Sequence, residues 1–495
     1  MLVRPATLLA VALTAVAIGA CGGSEAKDKP ADPTAEALSY LPAGAPLAIV
    51  IDTDPGGDQI KAALSILRRA KGSDVLIKQL RDGLTAGGTR PFSDFKQVFG
   101  NPLVAGAPTV RAARDTALTF AIVVRDQDAV EQRLADGAGV REDGEYRGAK
   151  LYRSSTTAYA LDGPVLVFAD TPAQVKAALD VHAGARHLTA TQVGRALAGL
   201  PEPALLRVYG NAARLLSGPG SASAREVTWV GALTTFGATV RAEPAAARIA
   251  FRLNTNPAVL EDADVPIAPG PRSPALTGEA PVRAGLRDLS HTLEFLQTLA
   301  QRLAPAQFER LDLGKTALRF GAGVDLDADL IGQFTGSTSV QTDLGRVILQ
   351  SDLRDPERVR AALVALRPLI PTALEGAGIS AATVGPVGGS GFDEIVVDGR
   401  SVVTYGVADG RFVAGNTGVD DLVKALDDRS APLPGSRGAL AGDALAAPVR
   451  TLLGPLLSRL PPGAAGLAGL VAGGRGWVQA SITGLRGEAT VDLNG

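Results

Sequence analysis

The sequence predicts an α+β fold of two similar repeats, each an antiparallel sheet with helices packed mainly on one face. One observation is the pair of Asp-Gly dipeptides at 162–163 and 409–410, which stand between short apolar runs. Asp-Gly tolerates the positive φ angles that tight hairpins need. The other is that the helical segments carry a single apolar stripe at positions i, i+3, i+4 and i+7. The stripes are Ile60, Ala63, Leu64 and Leu67; Leu296, Leu299, Ala300 and Leu303; and Val359, Ala362, Leu363 and Leu366.

A layout of strand, Asp turn and helix occurs twice along the chain, in the same order. Each half also ends with a strand pair led by a tryptophan, at 229–254 and at 477–494. Duplication of one unit would explain this shared order. The residues that match without a gap are Arg125, Asp126, Val130 and Leu134 in the first half, and Arg354, Asp355, Val359 and Leu363 in the second.

Length and composition predict how the chain is divided. The 495 residues are 46% hydrophobic and 20% charged, which suits two folded units. We expect a first α+β repeat at 39–255, a Pro-rich linker at 256–281 and a second α+β repeat at 282–495. Residues 21–38 are small, charged and proline-containing, which predicts a lipidated flexible tether.

The first 20 residues predict an export signal. Arg4 provides a positive start, the stretch from Ala6 to Ile18 is largely apolar, and small residues lead to Cys21. A run this short fits a signal peptide better than a membrane-spanning helix. Ile18-Gly19-Ala20-Cys21 resembles the bacterial lipobox. The resemblance implies a diacylglycerol on Cys21, cleavage before that residue, and acylation of the new N-terminus.

Cys21 is the only cysteine in the sequence, so disulfides within the chain are excluded. Two or more acyl chains hold a protein stably at a bilayer. We therefore expect a protein on the extracytoplasmic face of the cell membrane, with the membrane reached through the lipid on Cys21. The apolar stretch from Leu440 to Gly474 contains Asp443, Arg450 and a Pro-Pro pair, and it is not predicted to span the membrane.

The charge pattern excludes one class of partner. The formal net charge is −2, and acidic and basic residues are interspersed along the chain. The sequence contains no stripe of basic residues that would indicate a nucleic-acid-binding surface. Aromatic residues make up only 4% of the chain, which argues against stacking platforms for bases. We expect no nucleic-acid partner.

The segment Asp52-Thr53-Asp54-Pro55-Gly56-Gly57-Asp58-Gln59 follows an apolar run and resembles the N-terminal signature of nucleoside hydrolases. The resemblance implies a calcium-dependent enzyme in which Asp52, Asp54 and Asp58 bind the metal and activate water. Gln59 stands where that family has a further Asp ligand, and the family's later His-Gly-x-Asp-Gly element is absent. The alternative interpretation is a strand that ends in a turn, with Asp58 capping the next helix.

A second acidic segment contains Asp325, Asp327 and Asp329 at alternate positions, a spacing that resembles a calcium loop. It lacks the central glycine and the closing glutamate of an EF-hand. We expect it to end a strand and to cap the helix that begins at Leu330.

The remaining candidates for chemistry are scattered. His182, His187 and His291 include no pair at i, i+4, so no zinc site is predicted. Trp229 and Trp477 are expected to be core anchors. The sequence therefore predicts no catalytic, cofactor-binding or metal-binding residue and no cofactor, and Cys21 is the one site residue.

Three features together resemble a known family. They are the opening Leu41-Pro42-Ala43-Gly44-Ala45-Pro46, the Asp52–Gln59 turn, and the repeated strand–Asp–helix units. The mature chain is similar to secreted, high-GC bacterial lipoproteins that carry the domain of unknown function numbered 3352. In that family a Gln at position 59 is ordinary. The resemblance implies an extracytoplasmic lipoprotein of unknown biochemistry, and it transfers no catalytic residue.

Two classes of function follow from these features. The first is a non-enzymatic binding or envelope-associated module. It would hold an envelope protein, an envelope polymer or a hydrophobic ligand between two similar halves, since crevices between domains are common ligand sites. The second is a calcium-dependent, nucleoside-hydrolase-like enzyme that uses Asp52, Asp54 and Asp58.

Overall fold

The structure, a computed structural model, describes residues 32–70, 98–457 and 469–494, apart from the single positions 138, 185, 344, 377 and 429. Cys21 and the predicted signal peptide lie outside the described residues. Within them, one 20-stranded sheet and one 2-stranded ladder form, and all their strand pairs are antiparallel. The predicted α+β class with antiparallel strands is confirmed, and the strands of both halves form one large sheet; the division into two repeats stays a prediction.

The strands alternate with helices along the chain. The strands before residue 260 are β1 (Leu47–Ile51), β2 (Leu103–Ala107), β3 (Thr119–Val123), β4 (Arg141–Tyr146), β5 (Ala149–Arg153), β6 (Ala158–Asp162), β7 (Val165–Ala169), β8 (Leu206–Gly210), β9 (Leu233–Glu243) and β10 (Ala246–Thr255). The later strands are β11 (Ala275–Leu276), β12 (Val282–Arg287), β13 (Ser337–Asp343), β14 (Arg346–Asp352), β15 (Ala382–Pro386), β16 (Phe392–Val397), β17 (Arg400–Ala408), β18 (Arg411–Gly415), β19 (Ala431–Pro432), β20 (Leu440–Leu445), β21 (Val471–Ser481) and β22 (Gly484–Leu493).

The helices fall into the same two groups. The first group is α1 (Pro33–Leu38), α2 (Asp58–Arg69), α3 (Val110–Asp115), α4 (Gln127–Asp136), α5 (Pro172–Ala183), α6 (Ala190–Leu197), α7 (Ala212–Leu215), α8 (Ala222–Arg225) and α9 (Thr228–Gly231). The second group is α10 (Leu289–Leu303), α11 (Pro305–Ala322), α12 (Pro356–Leu366), α13 (Ile370–Gly376), α14 (Val419–Asp427) and α15 (Ala446–Leu457). No helix among the described residues is long and apolar enough to cross a membrane.

The strand order of the large sheet is the same in both halves. From its outer edge to the centre, the first half runs β4-β5-β6-β7-β3-β2-β1-β8-β9-β10. The second half runs β15-β16-β17-β18-β14-β13-β12-β20-β21-β22. The halves join where β10 pairs with β22. Duplication of one unit would produce this order, and duplication itself remains a prediction.

The repeated Asp turns begin equivalent helices. Asp126 Oδ1 accepts a hydrogen bond from the Ala129 N–H at 3.0 Å at the start of α4, and Asp355 Oδ1 accepts one from the Arg358 N–H at 3.1 Å at the start of α12. Both are N-caps that satisfy an amide left free in the first helical turn. The two Asp residues that match between the halves of the sequence therefore have the same N-cap role in the structure.

Both faces of the first-half sheet are buried. Along β1, Ala48 and Val50 face one apolar cluster while Leu47, Ile49 and Ile51 face another. The helices α1, α5 and α6 pack on the first face, and α4 packs on the second. Burial on both faces explains why β1 is an unbroken apolar run instead of an alternating one.

The second half is covered less completely. In the first half, α6 packs on β8, β9 and β10, and the Arg252 guanidinium on β10 donates to the carbonyl of Ala198 at the end of that helix. The described chain between α14 and β20 contains only the short strand β19 and turns. Within the described residues, therefore, no helix equivalent to α6 packs on β20, β21 and β22, and the turn segment 433–438 lies beside β21 instead.

One of the three predicted helical stripes is not buried. Ile60 on α2 and Val359 on α12 are 0% exposed, as expected for core-facing stripes. On α10, however, Leu296 is 48% and Leu303 is 50% exposed. This prediction is wrong for α10 because its described contacts are to α11, α8 and short turns, with no sheet face beneath the stripe.

Two segments that were predicted to be a tether and a linker contain residues packed in the folded body. The helix α1 lies within the segment 21–38 that was predicted to be a flexible tether, and its Leu38 is fully buried. The described end of that segment therefore belongs to the folded body. The segment 256–281, predicted as a linker, contributes buried Val265, Ala268 and Leu276, because its turns pack on the strands that they connect.

Candidate functional site

The hydrolase-like segment forms a turn held by its own backbone. Asp52 Oδ1 accepts from the Asp54 N–H at 3.0 Å, and Asp54 Oδ1 accepts from the Gly56 N–H at 3.1 Å. The Thr53 hydroxyl is buried and donates to the carbonyl of Asn101 at 2.5 Å. Carboxylates that accept local amide bonds are typical of Asx turns. Burial raises the pKa of the Asp52 carboxyl, as does the nearby Asp54, although the amide bond and Arg207 oppose the shift.

The three aspartates of this segment do not assemble a metal site. Asp54 lies 3.4 Å from an Arg125 nitrogen, so a cation already neighbours it. Asp58 is exposed in the first turn of α2 and caps nothing, since Gly57 is the N-cap residue. The prediction of an Asp58 cap is therefore wrong. Among the described residues, no group of three or more His, Cys, Asp or Glu side chains could hold a metal ion.

Gln59 has a structural role in this segment. Its side chain is 6% exposed, and it makes two hydrogen bonds to the backbone of Ala242 on β9. An amide can donate and accept at once, which a carboxylate cannot do. Gln59, the residue that departs from the hydrolase signature, therefore connects α2 to the sheet by hydrogen bonds.

The second acidic segment is neutralised by separate cations. Asp325, Asp327 and Asp329 pair with Arg319 at 3.4 Å, Lys315 at 2.7 Å and Arg358 at 2.6 Å, respectively. Asp325 caps the single helical turn Leu326–Leu330. The expectation that a strand ends here is wrong, because the helix α11 comes directly before it.

The histidines lie in separate places. The His182 ring stacks on Tyr40 with centroids 4.3 Å apart, and its Nδ1 lies 2.6 Å from the Ser39 hydroxyl. That hydroxyl donates to the Glu36 carbonyl at 2.6 Å, so it accepts from the ring N–H. The Tyr40 hydroxyl donates to Asp162 at 3.0 Å. This cluster fastens α1 to the body, and 143 residues separate Ser39 from His182, which is why the sequence did not reveal it.

A crevice of about 460 Å³ lies at the junction of the two halves. Its floor is one face of β10, β22 and β21, because residues opposite each other in a ladder project to the same side. The first row across the floor is Arg248, Thr490 and Arg475, and the second is Ala250, Glu488 and Trp477. The crevice begins beside the end of α6, over strands on which no equivalent helix of the second half packs within the described residues.

Each half supplies one wall of the crevice, and both walls carry a Leu-Pro pair. The first wall is Gly199–Pro201, directly after α6, and the second is the segment 433–437, before β20. Gly438 ends the second wall at φ +86°, where an added Cβ would come within 2.4 Å of the Val478 carbonyl oxygen. Only glycine permits that close approach, so the second wall lies directly against β21.

The charges that line the crevice are mostly positive. Among the described residues, four arginines and one glutamate face it, namely Arg248, Arg437, Arg475, Arg486 and Glu488. Arg248 lies 3.4 Å from Glu488 and 3.0 Å from Glu243. Arg486 donates twice to Gln479 Oε1, at 2.9 and 2.7 Å. Arg437 and Arg475 are exposed, and neither makes a hydrogen bond or ion pair with a described residue.

The two tryptophans occupy different environments. Trp229 is 8% exposed and packs in an apolar cluster with Leu260 and Val265, as predicted for a core anchor. Trp477 is half-buried on the crevice floor, in the middle of β21. Trp229 instead lies in α9, before β9 begins. The two residues are not equivalent, and the core prediction is wrong for Trp477.

The fold and the crevice define an α+β protein of two similarly ordered halves, with a polar crevice at their junction. The family model described as "Protein of unknown function (DUF3352)" matches residues 3–340, and the chain belongs to that family. The predicted domain of unknown function 3352 is therefore confirmed, and the secreted, high-GC lipoprotein class stays a prediction. Comparison with curated proteins finds no match.

Among solved structures, the chain is similar to TP0453 in three crystal forms, at 10% sequence identity in each. Form IV gives a TM-score of 0.27 over 44% of this chain and 80% of that one. Form III gives 0.26 over 47% and 83%, and form I gives 0.24 over 46% and 80%. Scores this low support no inference about function.

Proposed function

We propose that the protein is a lipid-anchored, extracytoplasmic binding module that works without catalysis and holds its ligand in the junction crevice. The observation that carries the proposal is the difference between the halves. The helix α6 packs on β8–β10, whereas within the described residues no equivalent helix packs on β20–β22, and a crevice lies there between the halves. Binding sites commonly lie at such junctions, and 460 Å³ is within the range of small-ligand pockets.

The chemistry of the lining favours binding over catalysis. Among the described residues that line the crevice, none is a histidine or a cysteine. Its one carboxylate, Glu488, lies beside Arg248. The Ser436 hydroxyl donates to the Leu433 carbonyl at 2.6 Å. These groups offer charge and contact surface, but no paired base and nucleophile.

The hydrolase alternative gains no support from the turn at Asp52. Two of its carboxylates accept backbone amides, the third is exposed, and Gln59 is committed to the backbone of Ala242. A water-activating calcium site needs several oxygen ligands directed at one point, and we therefore do not propose the hydrolase activity.

The membrane part of the proposal rests on Cys21. Cys21→Ser should move the protein from the membrane fraction to the soluble extracytoplasmic fraction, because lipidation requires the thiol. Ser24→Ala, three residues further on and outside the lipobox, is the matched control and should leave the protein in the membrane fraction. Retention of the Cys21→Ser protein in membranes would contradict the anchor.

The binding part can be tested by native mass spectrometry of the full chain, isolated from its own cell envelope in mild detergent. We expect a bound molecule that is lost in Pro434→Trp, where an indole on the second wall enters the crevice. Val402→Trp places the same side chain on β17, at a residue that is 39% exposed and does not line the crevice. The proposal would be overturned if the isolated protein carried no bound molecule, or if Pro434→Trp and Val402→Trp lost the bound molecule equally.

A further inference from the structure

The arrangement of charge in the crevice is specific to one kind of ligand. Four guanidinium groups and one carboxylate face the same space. Like charges raise the local potential and draw in a ligand of opposite sign. Two of the guanidinium groups, those of Arg248 and Arg486, are held by neighbours on the floor. The two that make no described contact, Arg437 and Arg475, lie on the second wall and on the floor.

Arg475 has an acidic neighbour that is already engaged. Asp443 on β20 lies directly opposite Arg475 in the ladder, so the two side chains share a face. Both oxygens of Asp443 are bonded by Arg283, to Nε at 3.0 Å and to Nη2 at 2.5 Å. A carboxylate held at both oxygens is a poor partner for a second guanidinium. Asp492, the other acid near Arg475 on this face, makes no ion pair with it either, so the charge on Arg475 is available to a ligand.

The neighbour of Arg475 along the strand is Trp477, which projects to the same face. A guanidinium binds carboxylate or phosphate oxygens through two parallel N–H groups. An indole offers a broad, flat apolar surface for aromatic or hydrocarbon groups. The two side chains together suit a ligand with a charged end and a flat apolar body.

Resting on the proposed function, we infer that the crevice binds an anion, a carboxylate or a phosphate, carried on a flat apolar group. Arg475 and Arg437 receive the anion, and Trp477 contacts the apolar part. Arg248 and Arg486 supply further positive potential from the floor.

The test uses the full chain with Trp229→Phe, which leaves Trp477 as its only tryptophan. Fluorescence and calorimetric titrations use benzoate, phenyl phosphate, benzyl alcohol and benzylamine, which share one ring and differ in charge. We expect benzoate or phenyl phosphate to bind and change the Trp477 emission, and the two other compounds to bind much more weakly. Preference for benzoate would identify a carboxylate ligand, and preference for phenyl phosphate would identify a phosphate ligand.

Charge reversal provides the matched comparison. In the same background, Arg475→Glu should weaken anion binding by roughly tenfold or more. Arg400→Glu makes the same charge change at an exposed residue of β17 outside the crevice, and it should leave binding unaltered. Arg475→Gln keeps the test valid if the reversed charge disturbs folding.

The inference would be overturned if benzyl alcohol or benzylamine bound as tightly as the anions, or if neither anion bound. It would also be overturned if the Arg475 and Arg400 variants weakened anion binding equally. The binding-module proposal is tested separately. If Pro434→Trp removes a bound molecule but neither anion binds to the protein, the binding-module proposal is supported and the assignment of an anionic ligand is wrong.

Discussion

The Gln59 side chain pairs with the backbone of Ala242 through two hydrogen bonds. Gln59 Nε2 donates to the Ala242 carbonyl at 3.3 Å, and the Ala242 N–H donates to Oε1 at 3.0 Å. The two residues are 183 positions apart, and both are buried. The side chain thus acts as one more strand partner at the end of β9, and it fixes where α2 begins.

Gln59→Asp should lower the free energy of unfolding by about 2–3 kcal/mol, since it leaves buried backbone groups unpaired. Asp cannot donate to the Ala242 carbonyl, and its shorter side chain brings a charge into the buried site. Asp58→Asn, at the exposed neighbour, should change the free energy by less than about 0.5 kcal/mol. Urea unfolding measures both. A Gln59→Asp protein as stable as the wild type would contradict this role.

Calcium should not stabilise the fold through the Asp52 turn. The described carboxylates there accept amide hydrogen bonds, and Asp54→Asn keeps an oxygen that can accept from the Gly56 N–H. We therefore expect the thermal unfolding midpoints of the wild type and Asp54→Asn to be unaffected by millimolar calcium. A rise with calcium in the wild type that the variant lacks would restore the hydrolase hypothesis.

Asp52 should make stability depend on pH in the acidic range. Burial raises the pKa of its carboxyl above the usual 3.8, so the folded protein holds this proton more tightly than the unfolded chain. The contribution of Asp52 to stability therefore falls as the pH rises from about 4 through the folded-state pKa. Asp52→Asn keeps an oxygen for the Asp54 amide and removes the titration. The variant should gain stability relative to the wild type across that window, and a relative loss with rising pH would be the opposite result.

The exposed α10–α11 hairpin and the buried α1 should respond differently to the same substitution. Leu38 on α1 is 0% exposed, and Leu313 on α11 is 69% exposed. Leu38→Ala should cost about 2–5 kcal/mol, because it leaves a cavity in the largest core cluster. Leu313→Ala should change stability by less than about 0.5 kcal/mol. Similar losses in both variants would show that Leu313 is covered in solution.

Local features of the fold were the most predictable. The hairpin at 409–410 forms with both Asp409 and Gly410 at positive φ, as its dipeptide indicates. The hairpin at 162–163 is also present, but β6 includes Asp162 and the loop is Gly163-Pro164. Turn chemistry fixes where the chain reverses within about one residue.

The site was not predictable, because it depends on pairings between distant segments. The crevice floor requires β10 to pair with β22, and Arg475 remains available because Asp443 binds Arg283. Periodicity along the chain does not indicate either contact. The crevice also depends on the difference between α6 and the second-half segment before β20. The resemblance between halves suggested a crevice but not its residues.

Trp477 on the crevice floor reports most directly on whether the junction crevice holds a ligand. Acrylamide quenching should be measured on the Trp229→Phe protein, first as isolated from the envelope and again after unfolding, removal of small molecules and refolding. We predict that Trp477 is protected from acrylamide in the protein as isolated and becomes accessible to it after the small molecules are removed. Adding the removed small molecules back should restore the protection. Equal quenching in the two states would contradict the account.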